Sequence, residues 1–138
     1  MNIKSVLYGS FISFTAFVIT GFVWHSLVFP EWYISLEYIG RAEMLPLFLI
    51  IGELFRALLM AIIYPFGYQG TSAMEEGLRF GLIMNIFLGS VWICWVYALH
   101  SITGFWFFLI LEGLHIILSG CLAGSLISYI YNKTKYTY

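Results

Sequence analysis

Charge is what this 138-residue chain has least of. Lysine and arginine number 6 and the acids 7, so 9% of residues are charged, against roughly 25% in an ordinary soluble domain. The hydrophobic share is 62%, and together these values require most of the surface to face lipid. A net charge of -1 provides no basic field, which excludes nucleic acid as a partner. Cysteine is nearly absent. Cys94 and Cys121 both lie in apolar runs, and no CxxC or Cys/His spacing of the zinc type occurs, so both read as small core residues. No alternating strand pattern is present, and an open sheet would leave backbone groups unpaired in lipid. There is no nucleophile–base arrangement, no Gly-rich phosphate loop and no cofactor fingerprint, so the reading leans away from an enzyme and names no cofactor.

What is there is long apolar runs. A helix needs about 20 apolar residues to cross a hydrocarbon core. Four segments qualify: residues 5–29, stopped at Pro30; 44–64, stopped at Pro65; 73–99; and 104–131. The fold class expected is all-α, an integral membrane four-helix bundle formed by one domain over residues 1–138. Met1-Asn2-Ile3-Lys4 leads into a run too long for a cleavable signal, and reads as the start of an uncleaved first span.

Four spans put both termini on one side. That side carries Lys4, Arg79, Lys133 and Lys135, while the other has only Arg41. The positive-inside rule then places the termini in the cytoplasm, as for a multi-pass protein of a bacterial inner membrane. On this topology Asn132-Lys133-Thr134 is not a glycosylation site. Ser72-Ala73-Met74-Glu75 is a capping box, and Glu75 and Glu76 sit in a first helical turn where the dipole favours anions. Arg79 reads as a snorkelling anchor, and Tyr129, Tyr131, Tyr136 and Tyr138 as an aromatic belt. The outer connection from Pro30 to Glu43 mixes aromatics with acids and can lie along the interface or cover the bundle mouth. The turn at His100-Ser101-Ile102-Thr103 makes the third and fourth spans antiparallel neighbours, with His100 a solvated loop residue.

Ionisable residues at membrane depth are functional candidates by default. Glu53 and Glu112 each lie roughly 12 Å in from the outer surface, with Arg56 and His115 one turn deeper. Glu112, His115, Ser119 and Ala123 share one helical stripe. So do Glu53, Arg56, Ala57, Met60 and Tyr64; Gly81, Asn85, Gly89 and Trp92; and Gly21, Trp24, His25 and Val28. Turning all four inward makes one polar centre. The halves can also be overlaid: Gly21-x-Val23-Trp24-x-x-x-Val28-Phe29 is echoed by Gly89-x-Val91-Trp92-x-x-x-Val96-Tyr97, with Glu53-x-x-Arg56 matching Glu112-x-x-His115. This is the pattern of a parallel two-fold internal duplication, and it would bring Glu53 and Glu112 together across the axis.

Such a centre has four readings. The plainest is that Glu53–Arg56 and Glu112–His115 pair locally and fix register, worth about 0.6 kcal/mol per interhelical bond. Each inserted charge costs on the order of 2.5–3.5 kcal/mol, which argues for a use. A ligand pocket would have Arg56 clamp an anionic or carbonyl group, Glu53 and Glu112 accept from it, and Trp24, Trp92, Trp95, Asn85 and His115 complete the wall. A metal site could be built from His25, Glu53, Glu112 and His115, because Glu-x-x-His is the spacing of di-metal bundles; here Arg56 stands where the second histidine would be and repels a cation. A proton or ion relay could run through Glu53, Glu112 and His115. The leading expectation is a membrane protein that binds, and could transport, a small molecule or lipid. The alternative is a non-catalytic accessory subunit of a larger membrane complex. Gly120-x-x-x-Gly124-x-x-x-Ser128 offers a small-residue face for a membrane partner or a second copy.

The end of the first span, Gly21-Phe22-Val23-Trp24-His25-Ser26-Leu27-Val28-Phe29, resembles a group of small four-span bacterial membrane proteins whose first helix ends in Gly-x-x-Trp-Tyr-Ser followed by apolar residues and Phe. His25 stands where that group has tyrosine. The group has no assigned activity, so the resemblance implies topology alone.

Overall fold

A computed structural model describes residues 2–37 and 46–135. Helix α1 spans Ile3–Phe22 and continues into a π-helical turn, Val23–Val28. A short α2 follows at Pro30–Ser35. Helix α3 spans Pro46–Ile63 and ends in a 3-10 turn, Tyr64–Gly67; α4 spans Ala73–Leu99 and α5 spans Phe105–Lys135. No strand occurs among the described residues. Four helices are long and apolar enough to cross a membrane, as a multi-pass membrane protein requires. Expected and observed spans agree within a few residues; Met44, Arg41 and the rest of residues 38–45 lie outside the described residues, as do Tyr136 and Tyr138.

Local chemistry sets the helix ends. The Asn2 side chain caps α1 by accepting from the Lys4 N–H at 3.0 Å. Ser72 caps α4 by accepting from the Glu75 N–H at 3.3 Å, as the capping box predicts. Glu76, however, does more than answer the helix dipole. Its Oε1 accepts from the N–H groups of Gln69 (2.7 Å) and Thr71 (3.2 Å), and its Oε2 pairs with Arg79 at 2.8 Å. Arg79 in turn donates to the Gly67 carbonyl, so it braces the α3–α4 connection and is not a free snorkelling anchor.

The four long helices run alternately up and down. Helices α4 and α5 approach most closely, because glycines face each other. A Cβ on Gly77 would sit 2.5 Å from the Ser125 Cα, and one on Gly120 would sit 2.5 Å from the Asn85 Cβ. Gly81 and Gly124 are similarly tight. The Gly120/Gly124/Ser128 face expected to receive another chain is therefore occupied inside this one: α4 covers both glycines, and Ser128 is buried against Tyr64, with 2.7 Å between the hydroxyls.

Helix α1 packs between α3 and α5 at Gly9, where an added Cβ would reach van der Waals contact with Ala61, Ile127 and Tyr131. Ser10 and Ser13 are buried on this helix, and each donates to the carbonyl four residues back at 2.7 Å, so neither needs a partner from another helix. Ser5 and Thr134 join the two termini of the bundle at 2.5 Å. The core at this terminal end contains Val6, Phe17, Met60, Tyr64, Phe80, Ile127 and Tyr131 from all four long helices. Tyr131 donates to the Ala61 carbonyl at 2.6 Å, so it is a core residue and not part of a belt. Cys94 is exposed and Cys121 half-buried, so neither is a core filler.

The opposite end, called here the α2 end, is built differently. Its core comes from α2, α4 and α5: Tyr33, Leu36, Ile93, Val96, Phe108, Leu111 and Ile116. Helix α3 takes no part in it. Residues 46–52 of α3 are exposed on every side. Helix α2 is fixed across this end because the Thr103 N–H donates to the Leu36 carbonyl at 2.9 Å and the Thr103 hydroxyl to Glu37 at 2.9 Å. The overlay of the two halves does not extend to conformation. Residues 23–28 form a π turn, whereas their counterparts 91–96 lie in a regular α-helix.

Candidate functional site

The sequence places Trp24 and His25 side by side, which on an α-helix would send them to different faces. The π turn changes this. The Phe29 N–H bonds to the Trp24 carbonyl, five residues back, at 3.0 Å, and the wider turn lets both rings reach α5. Trp24 stacks on His115 with centroids 5.6 Å apart, and His25 lies edge-on to His115 at 4.9 Å. His25 Nε2 lies 3.2 Å from Glu112 Oε1.

Glu112 is the hub. It is 2% exposed, and Tyr33 of α2 donates to its Oε1 at 2.5 Å. Trp24 Nε1–H donates to the Tyr33 hydroxyl oxygen at 3.1 Å. His25 Nδ1 lies 2.9 Å from the Gly21 carbonyl, an acceptor, so Nδ1 carries a hydrogen. Nε2 then faces the carboxylate with a lone pair unless a proton sits between them. A proton between them completes the hydrogen bond. The expected Glu112–His115 bond within α5 does not form. Glu112 is drawn toward α1 and α2 instead, and His115 Nε2 is buried with no hydrogen-bond partner among the described residues. One donor atom from each of His25, Glu112 and His115 lies within 4.8 Å of the other two.

Glu53 is not a member of this group. It pairs with Arg56 one turn along α3, at 3.2 Å, as its spacing predicts. Arg56 also donates to Asn85 Oδ1 on α4, and its guanidinium lies 3.9 Å over the Phe17 ring of α1. Asn85 is fully buried and donates to the Gly81 carbonyl at 2.9 Å. The single polar centre expected from four inward stripes is thus two clusters. Phe17 and His25 are eight residues apart on α1, as are Gly120 and Glu112 on α5, which separates the clusters by about 12 Å along the bundle. Trp92 belongs to neither. It is 42% exposed, and Ile93 and Val96 take the inward positions beyond Gly89.

The chain matches no family model, no curated protein and no solved structure. What the arrangement can do therefore rests on its own chemistry. Tyr33 is the participant that reading by spans overlooks. Its signal was present: Pro30 opens a helix, and Tyr33 and Leu36, three apart, give that short helix one buried face.

Proposed function

We propose that this is a membrane protein that binds a small ligand where α1, α2 and α5 meet, with His25, Glu112 and His115 as its principal contacts and Trp24 and Tyr33 as the surrounding frame. The observation that carries this reading is the Nε2 of His115, buried and without a hydrogen-bond partner among the described residues, beside a carboxylate that two other elements hold in place. A buried imidazole nitrogen without a partner costs about 1–3 kcal/mol, and a bound ligand removes that cost. Purification of the full chain in mild detergent, followed by native mass spectrometry, tests it. The wild-type protein is expected to retain a stoichiometric ligand that Glu112→Gln and Tyr33→Phe release. A wild-type protein carrying nothing, with both variants unchanged in thermal stability, would refute it.

A second reading, an accessory subunit of a larger membrane assembly, has support from α3. Residues 46–52 are exposed on every side, while the remainder of that helix packs on α1. Co-purification of a stoichiometric membrane protein, lost when bulky substitutions are placed at Leu47 and Phe48, would favour it.

A further inference from the structure

The geometry points to a divalent first-row transition-metal ion, of the zinc class, as the ligand of His25, Glu112 and His115. This rests on the reading above that the cluster is a binding centre, and it names the chemistry. Two imidazoles and one carboxylate form the nitrogen–oxygen set that suits zinc and its neighbours; calcium and magnesium prefer an all-oxygen shell.

Three features of the donors agree. First, ligands bound tetrahedrally at about 2.0–2.1 Å stand about 3.3 Å from each other, and His25 Nε2 and Glu112 Oε1 are 3.2 Å apart. Secondly, Glu112-x-x-His115 sets a carboxylate and an imidazole on one helical face, and the His115 ligand atom, within 4.8 Å of the others, needs only a side-chain adjustment of the order of 1 Å to close the set. Thirdly, the outer partners are those that metal ligands use. The Gly21 carbonyl fixes the His25 tautomer and leaves Nε2 free to coordinate. The Tyr33 hydroxyl holds the carboxylate, and Trp24 holds Tyr33. The ion would occupy the position otherwise taken by the proton between His25 and Glu112, so binding releases that proton. Three protein ligands leave a fourth position open.

The repulsion expected between Arg56 and a cation is reduced here: Arg56 still acts on His115 through space, but Glu53 neutralises much of its charge. Arg56 is paired with Glu53 in the other cluster, on the far side of His115 from Glu112. His25 is half-buried, so the cluster is not sealed on that side.

The test uses the full chain in mild detergent, stripped with chelator and titrated with Zn2+ and, as a spectroscopic probe, Co2+. One ion per chain is expected, with cobalt d–d absorption of tetrahedral intensity. Glu112→Gln and His115→Ala should each weaken uptake at least a hundredfold. Tyr33→Phe should weaken it about 10–100-fold, the usual effect of removing an outer partner. Glu53→Gln should leave it unchanged. Absence of cobalt bands in the wild-type protein overturns the proposal whether or not the variants fold, and so does uptake that survives Glu112→Gln. An organic ligand found by mass spectrometry in a metal-free protein would overturn the metal and keep the binding centre. Neither ligand nor metal would remove both.

Discussion

Replacing Gly81 by alanine places a methyl group where α4 and α5 touch. The new Cβ would collide with the Gly120 carbonyl, lie 2.8 Å from its carbon and sit 3.1 Å from the Gly124 Cα. All of these are backbone atoms of α5, so no side chain can rotate away. Ordinary contact begins at 3.4 Å, so the helices must part by more than half an ångström over the glycine-lined stretch. A gap of 0.5–1 Å forfeits roughly a quarter to a half of each dispersion contact across the seam. Overpacking of this kind costs about 1–3 kcal/mol, offset by up to ~1 kcal/mol of improved helix propensity. Gly52 and Gly113 have no atom within 4 Å of an added Cβ, so alanine there is expected to be neutral or slightly stabilising. Thermal unfolding followed by circular dichroism in one detergent compares all three. At about 4 °C per kcal/mol for a chain of this size, Gly81→Ala should melt several degrees below the two controls. Equal midpoints would show that α4 and α5 are not packed through these glycines, and the account of why that face is closed to a second chain would fail.

The Glu53–Arg56 pair supports two further expectations. Arg56→Leu alone leaves Glu53 and Asn85 without their donor and is expected to cost about 1.5–3 kcal/mol, whereas Glu53→Leu/Arg56→Leu should recover much of that loss, because both charges are gone; a double-mutant cycle in denaturant reads the coupling. At the terminal end, Glu76→Gln should lower the thermal midpoint, because Glu76 holds two backbone N–H groups and Arg79, while exposed Glu75→Gln should not.

Much of this fold can be read from the chain, for a physical reason. A span is a local property: its length and apolar content decide it, and Ala73–Leu99 could be drawn from Ser72 and the turn at His100. Pairs within one helix are local too, so Glu53–Arg56 follows from i,i+3 spacing. Which helix a face meets is not local. Gly120 and Gly124 signal close approach without saying to what, and the answer is Gly77, Gly81 and Asn85 of the same chain. For the same reason four inward stripes do not imply one centre. Asn85 and Gly120 share a level with Arg56 and Phe17, whereas Glu112 shares one with His25 two turns away, so Arg56, and with it the carboxylate of Glu53, is held apart from the Glu112 cluster. Trp92 repeats the local pattern of Trp24, yet it lies outward because Gly89, Ile93 and Val96 hold the face of α4 turned to α5.

The π turn is where the site and the fold depend on one another most directly. Its additional residue per turn brings Trp24 and His25 to α5 together and sets the angle at which the chain enters α2, and hence where Tyr33 points. Deleting Leu27, which is 64% exposed and makes no hydrogen bond through its side chain, should let residues 23–28 close as an ordinary α-helix. Because the π turn spreads one extra residue over its rotation, the chain beyond the deletion stays nearly in phase with α1, but His25 itself turns by roughly 50° relative to both, so Tyr33 and His25 can no longer meet on one Glu112 oxygen. The core around Phe17, Met60 and Ile127 lies at the other end of the bundle and is not altered. The shortened chain should therefore remain folded by circular dichroism and gel filtration, while its cobalt absorption is lost or weakened by at least a hundredfold. Undiminished uptake in a folded deletion variant would show that the π turn does not build the site.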